Sequence, residues 1–177
     1  LNFRLKKAIE SGKLGKLIGI HAQLPWFRAQ SYYEGPHGAW KGTWKLDGGG
    51  SLMNQGIHTV DLVQWLAGPV ESVCGFIGVF GHKIEAEDQT VAILRFESGA
   101  LGTIVTTTCA IPDQSQRILV YGEKGSFTKT AYLESFEAGT PKERRQMMEW
   151  YGHKKTSKLG RDPLAVGAAG HVRHIED

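Results

Sequence analysis

Trp44-Lys45-Leu46-Asp47-Gly48-Gly49-Gly50-Ser51-Leu52-Met53-Asn54-Gln55-Gly56-Ile57-His58-Thr59-Val60-Asp61 is the stretch from which the rest of the chain is read. Three glycines run into a segment whose apolar residues recur at helical spacing. The spacing predicts a helix over 51–67, with Leu52, Val60, Leu62, Val63 and Leu66 on its apolar stripe. Gly68 and Pro69 stop it, because glycine accepts a left-handed cap and proline cannot continue the helix. On that helix Asn54 and His58 stand one turn apart on one face, and Asp61 follows three residues later.

This pattern carries chemistry. Glycines before a helix let a ligand reach backbone N–H groups that have no intrahelical partner. A helix N-terminus also favours negative charge, so a carboxylate, phosphate or developing alkoxide is expected there. Histidine is the side chain whose ordinary pKa suits proton transfer near neutral pH. Asp61 is placed to hydrogen-bond the His58 ring, and Asn54 can hold a substrate oxygen but cannot act as a base. The plainer alternative is a half-buried histidine satisfied by Asp61.

Before this segment, residues 5–10 read as the end of a helix closed by Ser11-Gly12, and residues 17–24 as a strand. Residues 25–45 are polar and aromatic, with Trp26, Phe27, Arg28, Tyr32, Tyr33, Trp40 and Trp44, and are broken by Gly35-Pro36 and Gly38. A loop this long is a binding segment or a packed lid. After the helix the period changes to two. Strands are expected over 70–80, 90–96, 100–109, 116–121 and 126–130, joined by short glycine turns that require antiparallel pairing. Residues 141–151 read as a helix. Helices cluster early and strands late, so the class is α+β: an open, predominantly antiparallel sheet with helices packed on one face.

Length and composition set the outer limits. The 177 residues fit one domain, and 41% hydrophobic with 22% charged residues is the composition of a soluble globular protein. A net charge of +3 offers no basic stripe for nucleic acid, and the run His153-Lys154-Lys155-Thr156-Ser157-Lys158 reads as a solvated loop. No apolar run is long enough to span a bilayer and no signal peptide is visible, so a cytoplasmic location is expected. Cys74 and Cys109 sit in apolar runs and are expected as two buried thiols. His58 with Asp61 supplies too few ligands for zinc, and the pair His171 and His174 lies in featureless surroundings, so no metal is expected. No Ser or Cys sits in a nucleophile-elbow pattern. Gly48-Gly49-Gly50 does not extend to G-x-G-x-x-G, because position 53 is Met. The chain begins at Leu1 and stops inside a helix-like stretch at 171–177, which leads to the expectation of a single domain over 1–177 that is part of a longer protein.

The run Gly48–Asp61 resembles the G-G-G-x-L-x-(D/N)-x-G-x-H-x-x-D signature in the C-terminal domain of the Gfo/Idh/MocA oxidoreductases. The resemblance extends to Pro69-Val70-Glu71-Ser72-Val73, Glu87-Asp88, the turn at 96–102 and Tyr121-Gly122-Glu123-Lys124-Gly125-Ser126. It implies the substrate-binding and oligomerisation domain of an NAD(P)-dependent oxidoreductase acting on a sugar, polyol or related hydroxyl compound. The same resemblance implies that NAD or NADP is bound mainly by a separate N-terminal domain that also supplies a lysine, and that the present chain alone is inactive. His58 then stands where the family's catalytic histidine stands, as the proton shuttle. Asn54 occupies a position that is often aspartate and is assigned with it to the catalytic pair. Arg28, Tyr32, Lys45, Asp47 and Asp61 are the substrate-binding candidates. A homo-oligomer through the sheet is expected, with no nucleic acid and no membrane as partners. The alternative is a non-catalytic binding or oligomerisation module of the same fold.

Overall fold

Residues Gln89–Phe96 (β3) show how the sheet is built. Thr90, Ala92, Leu94 and Phe96 are buried while Val91, Ile93 and Arg95 between them are exposed, the alternation of a strand with one packed face. Residues Leu101–Thr107 (β4) repeat it one hairpin later, across a turn in which Gly99 takes φ +85°. The other strands are Leu17–Pro25 (β1), Val70–Gly78 (β2), Arg117–Gly122 (β5), Gly125–Lys129 (β6) and Leu133–Glu137 (β7). Helices span Asn2–Glu10 (α1), Ile57–Ala67 (α2) and Pro141–Tyr151 (α3). The computed structural model describes residues 1–153. The basic residues 154–158, the pair His171 and His174, and the helix start at 171–177 lie outside them.

The seven strands form one sheet in the order β2-β3-β4-β1-β5-β6-β7. Every neighbouring pair is antiparallel except β1 with β4, which run parallel from Gly19 opposite Leu101 to Pro25 opposite Thr107. One face is covered by the helices. There Ile20, Ala22, Ile104, Ile118, Val120 and Phe127 meet Leu5, Val63, Leu66 and Met147 in a single core. Phe96 and Phe127 are its largest fully buried side chains, and burying each contributes about 1.5–3 kcal/mol. The other face is open.

The expected class is therefore the observed one, and three local expectations change. Residues 51–67 are not one α-helix: Ser51–Gln55 form a single π turn, closed by Gly56 N–H donating to Ser51 O at 2.9 Å, and α2 starts afresh at Ile57. A β-strand at 133–137, absent from the sequence reading, closes the sheet beside β6. The thiols are free, but they are not both buried. Cys74 is exposed on the edge strand β2 and Cys109 is half-buried. Among the described residues no helix is long and apolar enough to cross a membrane.

Candidate functional site

The glycine run is held from outside its own segment. The Glu87 carboxylate accepts the Gly50 N–H on Oε2 and the Leu52 N–H on Oε1, each at 2.9 Å, while its backbone carbonyl accepts the Ser51 N–H at 2.8 Å. A Cβ on Gly50 would fall 1.8 Å from that carbonyl oxygen, so glycine is required for the approach. Ser51 Oγ lies 3.0 Å from Thr106 Oγ1 and ties the turn to β4. This overturns the expectation of an anion bound by free N–H groups after the glycines. Glu87 is itself the anion, and it consumes those donors before a ligand can.

The clamp aims the π turn at the aromatic loop. Asn54 Nδ2 donates to Asp47 Oδ1 at 2.7 Å, and Asn54 Oδ1 accepts from the Tyr32 hydroxyl at 3.2 Å and from Gln55 Nε2 at 2.8 Å. Gln55 Nε2 also reaches the Tyr32 hydroxyl at 3.2 Å. Asp47 is fixed by the Gly42 N–H on Oδ2 at 2.8 Å. Gln55 Oε1 is buried and has no hydrogen-bond partner among the described residues, an acceptor left over once the network is complete.

Two cations stack on the same tyrosine. Lys41 Nζ stands 3.6 Å from the Tyr32 ring centroid, and the Arg28 guanidinium carbon lies 5.4 Å from that centroid and 4.9 Å from the Trp26 ring. Behind them the Tyr33 hydroxyl donates to Thr108 Oγ1 at 2.9 Å, and burial raises the Tyr33 pKa above its ordinary value.

Of the sequence candidates, Tyr32, Asp47, Asn54 and Arg28 thus converge. His58 is exposed on the second residue of α2, just after the π turn. Asp61 and Lys45 are also exposed. The expected Asp61–His58 hydrogen bond is not formed: both side chains are exposed on α2, and no hydrogen bond of either occurs among the described residues. Gln55, Lys41 and Glu87 were not singled out from sequence. Gln55 and Lys41 lie within the stretches already marked, so their polarity was the available signal. Glu87 was marked only as part of the Glu87-Asp88 match to the family, and its distance of 37 residues from Gly50 hid its role at the turn.

A second cluster lies behind the loop. His82 Nδ1 is 3.0 Å from Asp88 Oδ2 and 3.7 Å from Cys109 Sγ, and His82 Nε2 is 2.8 Å from the Arg28 carbonyl oxygen. Asp88 accepts backbone N–H groups from Phe80, Gly81 and His82. Burial pushes its carboxyl pKa up, but the donors from Gly81, Phe80, Cys109 and His82 outweigh this and leave it below the ordinary value. Burial and then the Asp88 carboxylate push the Cys109 thiol up.

Among the described residues, the chain offers no dinucleotide cradle. Its glycine-rich turn does not follow a parallel strand, and the N–H groups of Gly50, Ser51 and Leu52 are spent on Glu87.

Comparison with known proteins agrees with this architecture. The profile of the GFO/IDH/MocA C-terminal domain matches residues 3–128. The chain is 38% identical to the WlbA dehydrogenase of Bordetella pertussis, solved in complex with NADH and UDP-GlcNAcA, with a TM-score of 0.73 over 78% of this chain and 43% of that one. The WlbA dehydrogenase of Chromobacterium violaceum, in complex with the same two compounds, is 30% identical with a TM-score of 0.75, over 99% of this chain and 50% of that one. Myo-inositol 2-dehydrogenase of Thermotoga maritima is 32% identical over 132 residues, 70% of this chain and 36% of that protein. The chain spans about a third of the length of the curated relatives it matches.

Proposed function

Because the chain belongs to the GFO/IDH/MocA C-terminal domain family, we propose that it is the substrate-binding domain of an NAD(P)-dependent oxidoreductase acting on a sugar, polyol or related hydroxyl compound. The observation that carries this reading is the polar network Asp47–Asn54–Tyr32–Gln55, in which Gln55 Oε1 has no hydrogen-bond partner among the described residues. A polyhydroxylated ligand matches such a surface. Its hydroxyls can take over contacts of this network, donating to Asn54 Oδ1 in place of the Tyr32 hydroxyl, which is then free to donate to the ligand.

The chain's own contribution is binding, orientation and proton handling. In this reading His58, exposed at the start of α2, takes the proton from the reacting hydroxyl, and Asn54 holds a neighbouring oxygen. Nicotinamide, when bound, supplies hydride exchange. In this reading it is held mainly by a separate domain, as the family resemblance implies, and the described residues offer no cradle for it. Arg28 and Lys41 beside Tyr32 suit a substrate bearing negative charge, so UDP-GlcNAcA, named in both WlbA complexes, is the first compound to assay.

The test is His58→Ala in the full-length protein. General acid–base catalysis contributes about 10²–10⁴-fold, and turnover should fall by that factor with the melting temperature unchanged, because the side chain is exposed. Unchanged turnover supports instead the non-catalytic module.

The open sheet face presents Val91, Ile93 and Leu101, beside an edge strand that exposes Phe76 by 81%. We propose that two copies pair there. Light scattering at micromolar concentration should report an oligomer that Ile93→Lys dissociates; a monomeric wild type overturns the pairing.

A further inference from the structure

We propose that His82, Asp88 and Cys109 form a binding site for a zinc-class divalent cation that fastens the aromatic loop to the sheet. Three donor atoms of different kinds converge on one point: imidazole Nδ1, carboxylate Oδ2 and thiol Sγ, all within 4.8 Å of one another. Ligands about 2.0–2.3 Å from a tetrahedral zinc stand about 3.3–3.7 Å apart, and His82 Nδ1 stands 3.0 Å from Asp88 Oδ2 and 3.7 Å from Cys109 Sγ. Small side-chain adjustments therefore suffice.

The arrangement is not that of a catalytic triad. In a triad the ring's two nitrogens face different partners, one the nucleophile and the other the carboxylate that orients the ring. Here the same Nδ1 faces both Asp88 and Cys109, and Nε2 is occupied by the Arg28 carbonyl at 2.8 Å. That is the outer contact expected of a metal-ligating histidine, which donates its other N–H to a backbone carbonyl and is thereby oriented. Asp88 is likewise held by three backbone N–H groups.

The surroundings are dry and leave room at the sulfur. The His82 and Asp88 side chains are 4% and 0% exposed. Gly81 carries no Cβ where one would meet Sγ at 2.8 Å. Nitrogen, sulfur and carboxylate together select zinc over magnesium or calcium. Three protein ligands leave a fourth position for water. The thiol gives up its proton as the ion binds, so affinity rises with pH. Because His82 reaches the Arg28 carbonyl and its ring packs 4.9 Å from that of Tyr33, an ion there stiffens the loop that carries Arg28 and Tyr32.

Cobalt(II) titration of the full chain tests this. A thiolate-to-cobalt charge-transfer band should grow to saturation at one equivalent and be displaced by zinc. It should vanish in Cys109→Ser and persist in Cys74→Ser, which removes the other, exposed thiol. Zinc should raise the melting temperature of the wild type but not of Cys109→Ser. Should Cys109→Ser prove unfolded by circular dichroism, His82→Gln replaces it and should move the cobalt midpoint to higher concentration. Absence of a band in the wild type, its survival in folded Cys109→Ser, or an unshifted cobalt midpoint in His82→Gln overturns the site.

Discussion

Glu87→Gln isolates what positions the π turn. Glu87 is 4% exposed, and each of its carboxylate oxygens accepts one backbone N–H, from Gly50 and Leu52, at 2.9 Å. Glutamine keeps the shape, but turns one oxygen into an NH2 group that must face an N–H. One charge-assisted bond is lost, worth about 1.5–3 kcal/mol, and the remaining one weakens with the charge. The expected destabilisation is about 2–4 kcal/mol. For a chain of this size each kcal/mol lowers the melting temperature by about 2–4 °C, so a fall of about 4–16 °C is expected. Urea unfolding followed by circular dichroism measures it, with the slope m unchanged. Glu85→Gln is the control. Glu85 is exposed and, among the described residues, its side chain accepts only the Trp44 N–H, so its loss should stay within about 0.5 kcal/mol. If Glu87→Gln costs no more than Glu85→Gln, the clamp is not what holds the turn.

Two further outcomes are expected. Tyr32→Phe removes the hydroxyl shared by Asn54 and Gln55; it should cost about 0.5–1.5 kcal/mol in urea unfolding and raise KM in the full-length protein more than it lowers kcat. Glu143 is held at a pKa of about 2, below its ordinary 4.5, first by Lys13 and then by Thr140. Its contribution to stability is therefore present above pH 4.5 and lost as pH falls through about 2. The gap in urea midpoint between wild type and Glu143→Gln should close over that range, and a constant gap counts against the assignment.

Much of the fold was written in local pattern. The alternation over 90–96 names a strand and its packed face. Gly68, at φ +95°, ends α2 where the Gly-Pro pair predicted. Thr140 and Glu143 form the reciprocal cap that starts α3. Residues 133–137 were missed because a five-residue strand at the end of the sheet needs only two buried side chains, Leu133 and Phe136, too few to establish a period.

Each of these features depends on residues within a few positions of one another, which is why composition and spacing determine them: the α+β class, the strand faces and the helix stops. Tertiary structure decided what depends on contacts across the chain. Glu87 takes the N–H groups of Gly50 and Leu52 and turns an expected anion-binding helix start into a closed π turn. Asp47 and Tyr32 meet Asn54 where the turn is held by Glu87 and by the Ser51–Thr106 contact to β4. His82 and Asp88 come from the β2–β3 connection and Cys109 from the segment after β4, and the register of β2, β3 and β4 brings the two to one end of the sheet. Hydrogen bonds between distant segments leave no periodic trace in a sequence, since each partner need only be polar and satisfied once the sheet has formed.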